Sequence, residues 1–125
     1  MTKREVISKA LSPSMPFSKV IGYGNLIFVS GLVGRNWETG EIAPDIAGQT
    51  RQAMENIRRE LELAGASLDD VLKATVFLVD MSLFGAMNEV YRSFFSTAPP
   101  ARSCVEVSSL PDGEALVEIE VIAGR

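Results

Sequence analysis

Pro99-Pro100-Ala101-Arg102-Ser103-Cys104-Val105-Glu106-Val107 is the stretch on which the fold turns. Its prolines stop a helical pattern and force the chain into an extended form. The alternation that follows reads as a strand, with Arg102, Cys104 and Glu106 on one face and Ser103, Val105 and Val107 on the other. A cation at the head of a strand, beside a thiol and a carboxylate, has two readings. One is a surface arginine in an ordinary ion pair; the other is a group kept for binding.

The neighbours on either side narrow the fold. Before the prolines, Ser82 to about Phe95 has helical spacing, with Ser82 as a cap. It buries Met87, Val90, Tyr91 and Phe94, and its stripe Phe84-Asn88-Tyr91-Phe95 carries the polar Asn88. Val71 to Val79 is a strand with β-branched and aromatic residues on both sides, ended by Asp80. Asp45 to Ala64 is a helix on the stripe Ala53, Ile57, Leu61 and Ala64, widened by Met54 and Leu63. Asp45 caps its start, and Gly65 stands where a left-handed C-cap residue belongs. Its polar face (Arg51, Glu55, Arg58, Arg59, Glu62) reads as a solvated surface.

Toward the amino terminus, Leu26 to Gly31 is an apolar strand, paired with Ser18 to Gly22 through a hairpin turn at Gly22-Tyr23-Gly24-Asn25. With only two glycines, that turn is no dinucleotide-binding motif. Glu5 to Lys9 reads as an edge strand, Leu11 to Pro16 as a loop, and Trp37 to Glu41 as a tight surface turn. After the opening stretch, Leu110-Pro111-Asp112-Gly113 leads into a last strand, Ala115 to Ala123. The order is strands, helix, strand, helix, strands. It predicts one α+β domain over residues 1–125, a mixed sheet with two helices on one face.

Two helices cover only one face of such a sheet. Yet Leu26 to Val29 and Val71 to Val79 are apolar on both sides, as buried strands are. Self-association is the economical cover. In the last strand Val117, Ile119 and Val121 suit the helix layer. Glu118 and Glu120 then point toward the contact between subunits, expected on the same side as Arg102 and Cys104. Carboxylates on a buried face need partners. Either an Arg102–glutamate pair only fixes assembly, or a small polar pocket lies between subunits.

Composition bounds the chemistry. In 125 residues, 46% are hydrophobic and 22% charged, which suits one globular domain. The net charge of −4, with scattered Lys and Arg, argues against a nucleic-acid partner. The single cysteine excludes an internal disulfide framework, and the absence of histidine removes Ser-His-Asp and Cys-His triads and the usual zinc sites. No apolar run approaches the roughly 18 residues of a membrane span, and no signal-peptide core opens the chain, so a cytoplasmic protein is expected.

Taken together, several runs resemble the Rid (YjgF, endoribonuclease L-PSP) family of small homotrimers. They are Gly24 to Gly31, Gln49 to Ile57, Lys73 to Asp80, Met87 to Tyr91 with Phe94-Phe95, Pro100 to Val107, Leu110-Pro111 and Val117 to Ala123. The most specific is Pro-Ala-Arg-Ser-Cys-Val-Glu-Val. The resemblance implies a chorismate-mutase-like sheet of six strands backed by two helices. It also implies three sheets closing into a central barrel, with sites in the clefts between subunits. It implies hydrolysis of enamines and imines such as 2-aminoacrylate and 2-aminocrotonate to 2-oxo acids and ammonia, without cofactor or metal. By the same resemblance Arg102 grips the substrate carboxylate and Glu118 holds the attacking water. The Cys104 carbonyl helps position that water, and Ser30, Gly31 and Asn88 line the pocket. The Cys104 thiol is a packing group. Glu106 is expected to be structural, paired at the trimer contact.

Two departures stand out. The family's Gly-Pro-Tyr-Ser-Gln is here Met15-Pro16-Phe17-Ser18-Lys19, and its Ser-Gly-Gln is Ser30-Gly31-Leu32. Phe17 would face the ligand without a hydroxyl and Leu32 would make a wall apolar, so a shift toward bulkier or more apolar imino acids is expected. The competing functions are a pathway-specific deaminase of the 2-aminomuconate type and a non-enzymatic sensor of 2-oxo acids. The translation-inhibitor and ribonuclease labels also attached to the family fit the charge and the missing histidine poorly.

Overall fold

A computed structural model describes residues 3–125 of the chain. Strands β1 (Arg4–Lys9), β2 (Ser18–Tyr23) and β3 (Leu26–Val33) precede helix α1 (Ile46–Leu63). Strand β4 (Val71–Leu78), helix α2 (Phe84–Arg92), and strands β5 (Ala101–Glu106) and β6 (Val117–Gly124) follow. The sheet has the order β1-β2-β3-β6-β4-β5. All neighbours are antiparallel except β4 and β5. That one parallel pair needs a crossover, and α2 supplies it. The expected mixed six-stranded α+β fold is what forms, and it leaves the arginine strand at a sheet edge.

Local chemistry explains the boundaries. Asp45 accepts a hydrogen bond from the Gly48 N–H and starts α1. Gly65, at φ 78°, ends it: Gly65 N donates to Glu62 O and Ala66 N to Leu61 O, so the last carbonyls are satisfied. Gly24, at φ 59°, makes the two-residue turn between Tyr23 and Leu26.

The second helix differs from expectation. Asp80, rather than Ser82, is the cap, accepting from the Ser82 N–H. A turn of 3₁₀ helix over Met81–Leu83 comes first, and α2 stops at Arg92. Glu106 reaches this turn as well, accepting from the Met81 N–H at 2.7 Å, which gives it a structural role inside one chain.

The core lies between the helices and one sheet face. Ala53, Met54, Ile57 and Leu61 of α1 pack with Met87 and Tyr91 of α2 over Val20, Ile27, Val29, Val76, Leu78 and Ile119. Each large aliphatic side chain so buried contributes about 1.5–3 kcal/mol. Leu63, expected to widen the buried stripe, is 68% exposed, because it falls on the outer side of the last turn. Buried Gln49 and Asn56 tie α1 to the sheet. Gln49 donates to Ala43 O and Glu114 O and accepts from Leu116 N. Asn56 donates to Val33 O and Arg35 O, so the carbonyls where β3 ends are paired.

The other sheet face is open. Across it the register sets Ile21 beside Phe28, Phe28 beside Ile122, and Phe77 between Glu118 and Val105. Phe28 and Val105 are exposed. An apolar sheet face without a cover is the feature the doubly apolar strands predicted.

Candidate active site

Arg102 and Glu118 head two separate half-sites. Arg102 lies beside Ala74, a residue buried against the helices. Its guanidinium therefore lies against α2, where Nη1 donates to Asn88 Oδ1 at 2.7 Å and approaches Met87 Sδ at 4.0 Å. The guanidinium carbon stands 4.9 Å from the Tyr91 ring centroid and 5.5 Å from that of Phe84. Among the described residues no carboxylate pairs with it, and Nε and Nη2 make no hydrogen bond. A cavity of about 330 Å³, lined by Asn88, Tyr91, Arg92, Pro99, Pro100 and Arg102, opens beside it. A half-buried guanidinium with donors to spare and no counter-ion can accept a carboxylate.

Around it, Tyr91 is buried and its hydroxyl has no protein partner. Burial raises the Tyr91 phenol, with Arg102 acting in the opposite direction. Burial likewise raises the Cys104 thiol, again partly opposed by Arg102, so the neutral form is favoured. A neutral thiol is a poor nucleophile.

Glu118 stands elsewhere. It pairs with Phe77, three residues on from Ala74 in β4, and so projects from the opposite face of the sheet. The expectation that Glu118 and Glu120 share a side with Arg102 and Cys104 is thus corrected. Strand β5 is an edge covered only by α2, and its register against β4 turns Arg102 and Cys104 inward. Burial raises the Glu118 carboxyl above the usual glutamate range, and the neighbouring Glu120 carboxylate adds to it. A second cavity, of about 220 Å³, is lined by Phe17, Lys19, Gly31, Trp37, Pro111 and Glu118 among others. Gly31 leaves room for it: a β-carbon there would overlap the Glu118 carboxyl, 2.7 Å from Cδ, and push that side chain aside.

The remaining predicted site residues distribute as follows. Gly31 and Phe17 join Glu118, and Asn88 joins Arg102. Ser30 borders neither cavity; its hydroxyl donates to Ser18 O at 2.7 Å and ties β3 to β2. Cys104 borders neither cavity and packs against the core. Leu32 lines the Glu118 cavity, as expected of a cleft wall, while most of its side chain is held in the core opposite Ile119 at 4% exposure.

This sheet and these helices recur in known proteins. The endoribonuclease L-PSP family model matches residues 7–124. The chain belongs to that family. It is the Rid (YjgF) family of the sequence resemblance. A RutC family protein of Pyrococcus abyssi is 50% identical over 123 residues, covering 96% of each chain. A protein of Escherichia coli named 2-iminobutanoate/2-iminopropanoate deaminase is 38% identical over 128 residues, covering 100% of this chain and 99% of that one. The Rid-family protein YyfA of Yersinia pestis superposes at TM-score 0.91 with 41% identity, covering 98% of this chain and 100% of that one.

Within this Rid-family frame, sequence reading did not place Trp37 and Lys19 beside Glu118. Trp37 lies in the expected turn but is half-buried, and Lys19 Nζ sits 3.9 Å from its ring centroid. A lone tryptophan beside a Thr-Gly turn gave no periodicity that would have shown this. The Phe84-Asn88-Tyr91 stripe, in contrast, was visible; what it lines became clear only once β5 was placed beside it.

Proposed function

We propose that the protein hydrolyses 2-imino acids and their enamine tautomers to 2-oxo acids and ammonia, at sites completed between copies of the chain. The observation that carries this is the placement of an unpaired guanidinium and a half-buried carboxyl on opposite faces of one sheet. One chain cannot bring them together. A neighbouring copy seated on the open apolar face can present its Glu118 to this chain's Arg102, and a ring of three such contacts satisfies every site. The 38%-identical deaminase of Escherichia coli supports the same reaction class.

The chemistry then follows from the residues. Arg102, steadied by Asn88, binds the substrate carboxylate through the donors it has free. Glu118 takes a proton from water as the oxygen adds to the imine carbon and passes it to the nitrogen, giving a carbinolamine. The same carboxylate then takes the hydroxyl proton and passes it to the nitrogen, so that the C–N bond breaks and ammonia leaves as the C=O bond forms. Water is consumed, and no electrons change hands. Burial, which raises the carboxyl, makes it a better proton acceptor than an exposed glutamate. Imines already hydrolyse in water, so a positioned acid/base worth about 10²–10⁴-fold is adequate equipment.

The test is ammonia release from imines generated in situ by an amino-acid oxidase or a dehydratase. Arg102→Ala should lower kcat/KM by roughly 10²–10⁴-fold, with Arg102→Lys in between, because bidentate geometry as well as charge is lost. Wild-type protein that leaves the spontaneous rate unchanged would remove the proposal. A sensor of 2-oxo acids would bind 2-oxobutyrate but turn nothing over.

A further inference from the structure

The cavity beside Glu118 continues beyond the reacting centre. It shares Leu11, Met15 and Phe17 with an adjoining cavity of about 530 Å³, which Val6 and Pro13 also line. The three shared residues are 64%, 43% and 52% exposed, so they are not held there by the core. Trp37 forms the far wall of the inner cavity.

Charge around the inner cavity is largely committed, whereas Lys9 lines the outer one. Asp112 is bound through both oxygens by Arg35. Lys19 Nζ lies 3.5 Å from Glu60 Oε1, with both side chains largely buried, and 3.9 Å from the centre of the Trp37 ring. The second Glu60 oxygen is buried with no partner. Such an ion pair contributes little net stability compared with an apolar replacement. What it does is hold an ammonium against the indole, which fixes the wall. Glu118 is then the one ionisable group lining the inner cavity without a partner among the described residues.

We propose that this groove is the side-chain subsite of the reaction. Leu11, Met15, Phe17 and Trp37 receive a large apolar substituent, the size of leucine's or bigger, on a 2-imino acid whose reacting carbon lies at Glu118. The assignment rests on the imine-hydrolase reading and names its substrate class. It places the selectivity in exposed loop residues and in Trp37; Leu32 also lines the inner cavity but is 4% exposed and held by the core.

The experiment compares kcat/KM for imines generated by an amino-acid oxidase from leucine and from alanine, in wild type, Trp37→Ala and the double variant Leu11→Ser/Met15→Ser. Both loop positions are exposed, so the double variant keeps its fold, which circular dichroism checks. Wild type should favour the leucine-derived imine by about tenfold or more, the scale of added methylenes in an apolar pocket. Both variants should bring the ratio toward one, mainly through KM. Hydrolysis of the alanine-derived imine with a wild-type ratio at or below one overturns the subsite and leaves the hydrolase reading standing. A leucine preference that the variants keep overturns the assignment to this groove. Inertness toward both imines overturns the hydrolase reading and the subsite with it.

Discussion

Arg102 and Glu118 project from opposite faces of the same sheet, Arg102 beside Ala74 and Glu118 beside Phe77. A site that uses both must take them from different copies. Proteins carrying Arg102→Ala and Glu118→Gln, each inactive alone, should therefore rescue one another when co-refolded. Random mixing restores an intact pair at roughly one contact in four, because each heterologous contact draws one group from each side. Ammonia release near a quarter of wild type is expected; none at all would mean one chain supplies both groups.

Glu118 should be an acid the fold tolerates at a cost. Its folded pKa is raised by burial and by Glu120, so the native state binds its proton more tightly than the unfolded state does. The sign is that stability from this group falls as pH rises from the ordinary glutamate value near 4.3 through the raised one. Glu118→Gln should melt no lower than wild type at pH 8, with any advantage fading toward pH 4, while turnover drops about 10²–10⁴-fold. A clear loss of melting temperature at pH 8 would show the carboxylate to be stabilising.

Two glycines of β3 and its exit should respond differently to alanine. At Gly31 the new methyl meets the Glu118 carboxyl, the movable end of a side chain. Gly31→Ala should fold normally and lose about 10²-fold in rate by displacing the acid/base. At Gly34 the methyl meets Gln49 backbone, with the Gln49 carbonyl carbon 2.7 Å away, and α1 cannot yield. Gly34→Ala should lose about 1–3 kcal/mol or more of stability, read by denaturant melts.

Cys104 should be chemically quiet. Burial raises its thiol, and alkylation at pH 7 should be slower than for a free cysteine. Cys104→Ala should keep its rate within a few-fold and lose about 1 kcal/mol of stability. Abolished turnover in a folded variant would assign the sulfur a part in the reaction.

Asp112 should make the protein sensitive to acid. The Arg35 guanidinium holds its carboxyl below the usual aspartate range. That contribution is present above the ordinary aspartate value and is lost as pH falls through the depressed one. Asp112→Asn should lower the melting temperature at pH 7 and flatten its fall below pH 4. The loop it anchors carries Pro111 to the Glu118 cavity, so the variant should also raise KM.

How far these features could be read in advance depended on what kind of interaction set them. Helix α1 with its Asp45 and Gly65 ends, the Gly24 hairpin and the apolar strands were legible in the residues, because capping, left-handed backbone and hydrophobic periodicity are local. The uncovered sheet face was legible too, since two helices cannot cover both sides of strands that are apolar on both. The facing of β5 was not. Arg102, Cys104 and Glu106 alternate with Ser103, Val105 and Val107 in a pattern that suits either orientation, and only hydrogen-bonded register against β4 selects one. Nor could sequence show Trp37 pinned by Lys19 and Glu60, which come from a strand and a helix forty-one positions apart. Residue order by itself determined which elements form and that one face needs a cover. Tertiary structure decided which side each functional group takes, because a strand's facing belongs to its neighbours and not to its own side chains.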